Sequence, residues 1–112
     1  MKQISWEEFT SIEIRVGSIV DVQDFPDAHQ PAYKIWADFG DDIGLLKTSA
    51  QITHLYTAEE LIGMQILGVV NLPPKQIGTF VSQFLLTGIQ DNKGRIVIAQ
   101  PERPVEPGAL LH

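Results

Sequence analysis

Side chains able to ligate a metal, shuttle a proton or attack a carbonyl are few in this chain, and they are not grouped. His29, His54 and His112 are widely separated, and none has a second ligand at metal spacing; loop histidines are the expectation, with no metal site. The paired acids Glu7–Glu8, Asp41–Asp42 and Glu59–Glu60 are chain neighbours, and adjacent carboxylates on one strand of chain do not flank a substrate. First turns of helices and a hairpin loop account for them. No GxSxG elbow surrounds Ser49 or Ser82, and no GxxxxGK[ST] or GxGxxG occurs among nine glycines. The chain has no cysteine, which removes disulfides, zinc–thiolate sites, iron–sulfur sites and thiol catalysis together and fits a reducing cytoplasm. The residues therefore predict no catalysis, no cofactor and no small-molecule substrate, and point to a protein that binds.

The elements that position those residues follow from composition and period. A chain of 112 residues with 44% hydrophobic and 20% charged residues fits one domain spanning 1–112, able to fold on its own core. The start, MKQISWEEF, lacks the apolar core and cleavage site of a signal peptide, and no apolar run approaches the ~20 residues of a membrane span; a soluble cytoplasmic protein is expected. Eight basic residues face fourteen acidic ones, for a formal charge of −6. That balance opposes sequence-independent attraction to phosphate, although one local patch can still be basic.

Ser5 with Glu8 three residues on predicts a capping box and one short helical turn. Ile12, Ile14 and Val16 alternate with Glu13 and Arg15 as a strand does, continuing through Ile19, Val20 and Val22, with Gly17 as the expected bulge or bend. DFPDAHQP is a loop. In AYKIWADF, Tyr33, Ile35, Ala37 and Phe39 share one face, and Lys34, Trp36 and Asp38 the other. IGLLKTSA reads as a third strand, TAEELIG as a very short helix capped by Thr57 and Glu60 and stopped by Gly63, MQILGVVN as a fourth strand and FVSQFLLTGI as a fifth. DNKG is a turn before RIVIAQ, an edge or hairpin strand. The tail PERPVEPGALLH has too many prolines for a sheet interior. Three strands, a short helix and further strands within about a hundred residues match the plan of an all-β OB-fold, a five-stranded Greek-key barrel with a short helix between strands 3 and 4, here with short terminal extensions. In VVNLPPKQIGTFVSQFLL, from Val69 to Leu86, the double proline ends the fourth strand by removing backbone donors and fixing φ, so a loop is expected beside the barrel before Phe80 re-enters it.

Several separated stretches resemble one family, the OB-fold tRNA-binding domain that occurs free and appended to some aminoacyl-tRNA synthetases. IEIRVGSIVDV is similar to its opening strand; Pro26 and Ala28 fall in the following loop; Thr48, Ser49 and Ala50 match its third-strand motif; LYTAEELIGMQI resembles its tyrosine–helix–glycine step; and VVNLPPKQIGTFVS resembles the asparagine–leucine segment leading to a serine. Within the family the resemblance is to CsaA-type export-related chaperones, carried by FPDAHQPAYKIWADFG, TSAQIT, NLPP, Phe80 and QPERPVEPG.

The resemblance implies a homodimer, with terminal extensions packing across the interface; Trp6, Phe9, Pro101, Val105 and Leu110 are its candidates. It also implies two kinds of ligand. As a chaperone, the protein would take unfolded or export-bound polypeptides, with the export machinery as a further partner, in an apolar groove built by Trp36, Phe80 and Phe84, with strand addition as an added source of affinity. As a tRNA-binding cofactor, it would place Lys34, Lys47, Ser49, Asn71, Lys75 and Ser82 along one groove with Trp36 free to stack on a base. The first reading is preferred from the sequence, because an acidic surface suits basic export substrates.

Overall fold

A computed structural model describes residues 1–112. Helix α1, Trp6–Thr10, opens on the expected capping box: Glu8 N donates to Ser5 Oγ at 3.0 Å, and Ser5 N donates to Glu8 Oε1 at 2.9 Å. Strands β1 (Ile14–Asp24), β2 (Tyr33–Asp38) and β3 (Leu45–Ala50) follow as an antiparallel meander, then α2 (Ala58–Leu61), β4 (Gln65–Val69), β5 (Lys75–Ile77), β6 (Phe80–Ser82), β7 (Leu85–Leu86), β8 (Gly88–Gln90) and β9 (Ile96–Ile98). The main sheet runs β3-β2-β1-β4-β7. Its free edge at β3 is closed by the Ser82–Phe84 segment: Gln83 N donates to Lys47 O at 2.8 Å, Thr48 Oγ1 to Phe84 O at 2.6 Å and Ser49 N to Ser82 Oγ at 3.1 Å. The result is the nearly closed five-stranded OB barrel, and closure hides the edge a β-sheet would otherwise expose.

The alternation of β1 and β2 sorts the core as expected. Ile19, Ile35, Ala37 and Phe39 point inward, where they meet Leu61 from α2 and Ile66 from β4. The second capping box is also present, with Thr57 and Glu60 exchanging hydrogen bonds at 3.0 and 3.2 Å, and it holds the single turn that lowers Leu61 onto the barrel mouth.

Three expectations need correction. Gly17 is not at a bulge: it pairs regularly with Ile66, and the β1–β2 register shifts instead between Ile19 and Asp21. The absent side chain at Gly17 serves packing, because a Cβ there, or at Gly68 on the neighbouring strand, would lie 2.8 Å from the Phe39 ring. FVSQFLLTGI is not one strand. Its residues pair successively with β5, with β4 and with β9, so the apolar run is divided among three partners that local period cannot distinguish. The tail does join the sheet despite its prolines, since only Gly108–Leu111 pair: Gly108 N donates to Val16 O at 2.7 Å and Leu111 N to Ile14 O at 2.8 Å, on the half of β1 that β2 leaves uncovered.

Candidate nucleic-acid interface

The outer face of β2 and β3 carries the candidate site. Cross-strand partners share a face, so the register Trp36↔Lys47 and Lys34↔Ser49 puts four predicted residues side by side. The double proline then does what its chemistry requires. Pro73 and Pro74 stop the ladder after β4, and β5 and β6 form a separate two-stranded hairpin with Lys75 opposite Ser82. Its two-residue turn has Gly78 at φ +61°, with Thr79 at negative φ, the pattern of a II′ turn.

Phe80 anchors this hairpin to the barrel. It is 7% exposed and packs with Phe25 and Ala32 in a small cluster apart from the main core, with its ring 5.5 Å from Phe25 and edge-on to Trp36 at 6.1 Å. The Lys47 ammonium stands 5.0 Å from the Phe80 centroid, and that of Lys34 lies 5.3 Å from Phe80 and 4.9 Å from Phe25. Two lysines thus share one aromatic platform, which holds their charges by cation–π attraction without neutralising them. All three arginines are ion-paired, Arg15 with Glu13, Arg95 with Asp91 and Arg103 with Glu102, whereas Lys34, Lys47 and Lys75 have no carboxylate partner. Lys2 near the N-terminus and Lys93 in the β8–β9 turn are unpaired too, so what marks this face in an acidic protein is that two lysines share one aromatic platform.

Beside the platform lies a groove of about 500 Å3, with Ser49, Gln51 and Ser82 presenting polar groups and Leu72, Pro73 and Ile77 forming apolar walls; Lys75 lines it too. Ser82 is nearly buried, and its hydroxyl accepts from Ser49 N and meets Ser49 Oγ at 3.2 Å. Its first role is to join β6 to β3. Asn71 is likewise engaged: its Oδ1 accepts from Glu13 N at 2.9 Å and its Nδ2 donates to Ser11 O at 2.7 Å, tying the end of β4 to the start of β1.

The predicted polypeptide contacts fare differently. Phe84 is 4% exposed and crosses Phe39 edge-to-face at 4.9 Å, so it belongs chiefly to the barrel core and adds only a sliver to the wall of the groove. Phe80 is buried by its own hairpin, leaving Trp36 as the half-exposed aromatic of the three. Strand addition at β3 is also closed, because Lys47 N and Ser49 N are taken by the side chains of Gln83 and Ser82. Phe25 and the platform it makes with Phe80 escaped the sequence reading; the visible signal is an aromatic residue directly before the loop proline Pro26.

Away from this face, Tyr33 donates to Tyr56 O at 2.9 Å, and the Tyr56 hydroxyl accepts from Ile98 N at 3.0 Å, fastening the α2 approach to β9. Burial, and then the charges of Asp24, Glu59 and Glu60, raise the Tyr33 phenol above its ordinary value, which keeps it a donor. No three His, Cys, Asp or Glu side chains gather closely enough to hold a metal ion. At the termini, Trp6 is 87% exposed, and with Phe9, Ile12, Leu110 and Leu111 it lines an apolar hollow of about 240 Å3. Val105 is exposed further along the same tail, where its backbone pairs with the Gln65 amide, and Pro101 is half-buried.

The family model described as "Putative tRNA binding domain" matches residues 14–110, nearly the whole barrel and its tail. The chain belongs to the tRNA-binding domain family. Within this tRNA-binding family it is similar end to end to the CsaA chaperone protein of Picrophilus torridus, at 44% identity and a TM-score of 0.92 over 98% of this chain and all of that one. The chaperone CsaA of Bacillus anthracis superposes with a TM-score of 0.93 at 35% identity, over 99% of this chain and all of that one. The methionine–tRNA ligase of Pyrococcus furiosus is 35% identical over 99% of this chain, which spans 15% of that enzyme's length. This tRNA-binding domain thus matches about one seventh of each curated ligase relative and the full length of the CsaA structures.

Proposed function

We propose that this is a non-catalytic cytoplasmic protein that binds tRNA, or RNA with exposed bases like those of tRNA, across the β2–β3 face and the β5–β6 hairpin. The observation that carries the reading is the pair of carboxylate-free lysines, Lys34 and Lys47, that share the Phe80 platform beside the half-exposed Trp36, with Lys75 lining the adjoining groove. Cations placed beside a stacking surface are what single-stranded RNA requires, phosphates going to the lysines and a base to the ring. Lys75 at the mouth of the groove takes phosphate, while the hydroxyls of Ser49 and Ser82 brace the floor.

A second reading, an unfolded or export-bound polypeptide held in the groove, is favoured by the apolar walls at Leu72, Pro73 and Ile77 and by the likeness to CsaA chaperones. The burial of Phe80 and Phe84 places it second. Under either reading the protein is proposed to be a homodimer joined through Trp6, Phe9 and Leu110, because a hollow of exposed apolar side chains at both chain ends is the surface a monomer would cover; Pro101 and Val105 extend that surface along the tail.

Titration with total tRNA and, separately, with a reduced unfolded polypeptide, each at three salt concentrations, tests the choice. RNA binding is expected to fall steeply with salt and to weaken in Lys75→Ala and Lys47→Ala. Polypeptide binding that persists in salt and ignores both substitutions, with no tRNA retained, would reverse the two readings.

A further inference from the structure

The β-bulge in β1 brings a carboxylate into the lysine face. The register shift between Ile19 and Asp21 leaves Val20 without a partner and sets Asp21 directly opposite Trp36, with Gln23 opposite Lys34. Asp21 and Val20 are both exposed, while Ile19 and Val22 on either side are buried; bulges of this kind re-aim side chains. Because Trp36 is in turn opposite Lys47, one row across three strands reads carboxylate, indole, ammonium. Neighbouring strands lie about 4.8 Å apart, so the ends of the row are separated by roughly 10 Å of sheet. That is about the reach of one nucleotide from its base edge to its phosphate.

Asp21 has no cation partner, although Lys34 and Lys47 are on the same face. Its Oδ1 accepts from Val22 N at 2.9 Å and its Oδ2 from Gln23 Nε2 at 3.2 Å. These two bonds fix the carboxylate's orientation, and each oxygen retains a free lone pair. A carboxylate is an acceptor only, and among the four bases guanine alone offers two parallel donors, N1–H and the N2 amino group, on its pairing edge. Adenine and cytosine offer one amino group there, and uracil one N–H beside two repelling carbonyls.

We propose that Asp21 makes this face selective for an unpaired guanine, stacked on Trp36 with its pairing edge on the Asp21 carboxylate and its phosphate at Lys47. The proposal rests on the RNA reading and adds base selection to it. It also gives a negative side chain in a phosphate-binding face a use that electrostatics alone would not.

The test uses the full chain with Trp6→Phe, so that Trp36 alone reports by fluorescence, and uridine-rich RNA hexamers carrying one central G, A, C or U. The G hexamer is expected to bind about tenfold more tightly than the U hexamer, the discrimination of one good two-point base contact. Asp21→Asn should abolish that ratio while binding of the U hexamer holds or tightens slightly. A merely electrostatic Asp21 would move all four hexamers together in Asp21→Asn, and that result overturns the proposal, as does equal binding of the four by the unaltered protein while tRNA is still bound. Failure to bind any hexamer or tRNA would remove the RNA reading itself, and base selection with it.

Discussion

Phe80 and Phe84 are four residues apart, and they belong to different molecules in all but covalent terms. Phe84 crosses Phe39 inside the nearly closed barrel, and Gly17 and Gly68 lack side chains where that ring pair needs the room. Phe80 is one of a three-residue cluster, with Phe25 and Ala32, beneath a hairpin of two short strands, and two lysines stand over its ring. Burial is nearly equal for the two rings, so burial alone does not assign their roles. What distinguishes them is what depends on them: the barrel core on Phe84, and the placing of two lysines and of the hairpin that carries Lys75 on Phe80.

The sharpest way to break the comparison is to truncate both rings. Phe84→Ala should destabilise the protein by about 3–5 kcal/mol, the usual cost of emptying an aromatic site in a tight core, measured by chemical denaturation. Phe80→Ala should cost clearly less stability but lower RNA affinity several-fold, because Lys34 and Lys47 lose their platform and the hairpin its anchor; equal stability losses with unchanged binding would merge the two clusters into one. Gly68→Ala should come next, at roughly 1–3 kcal/mol from overpacking, since its Cβ would meet both the Phe39 and the Phe84 rings within 3 Å. Its effect should be confined to stability, and a selective loss of RNA binding would count against the separation.

Trp6→Ala extends the contrast to the chain ends. Its side chain is exposed in the single chain, so monomer stability should change little while the proposed dimer loosens, as sedimentation across a dilution series would register. The smallest effect is expected at the turn between β8 and β9. Asp91 accepts from the backbone of Lys93 and Arg95 and from Arg95 Nε, and the Arg95 backbone bond foremost, aided by the Lys93 backbone and the Arg95 side chain, holds its carboxyl below the ordinary range. A folded-state value below the unfolded one means that its contribution is present above the unfolded value near 3.8 and is lost as pH falls through the folded one. Asp91→Asn should therefore flatten the acid limb of the stability curve slightly, with RNA binding at neutral pH untouched.

Much of the scaffold is legible along the chain. Ser5 with Glu8 and Thr57 with Glu60 announce their helix starts because a capping box is closed within three residues. Ile35, Ala37 and Phe39 announce an inner face because a strand turns each second residue the same way. The same alternation puts Lys34, Trp36 and Lys47 on the outer face. The β5–β6 hairpin was only half visible: the prolines signalled the departure from β4, but the pairing of Lys75–Ile77 with Phe80–Ser82 competes with every other apolar strand. Phe84 packs on Phe39 in the core and also lines the groove, which strand alternation alone cannot tell, and Gly17, expected at a bulge or bend, instead clears space for the Phe39 ring.

Period and short-range hydrogen bonding encode the strand faces, the helix caps, the break at Pro73–Pro74 and the family signature. Long-range packing selects which strand each piece of FVSQFLLTGI joins, makes Phe80 and Phe25 one platform for two lysines, and sets Asp21 against Trp36 through a bulge. The physical reason is that those outcomes depend on register and ring packing between residues distant in the chain, and such contacts are selected by the closure of the whole barrel and not by any window of its sequence.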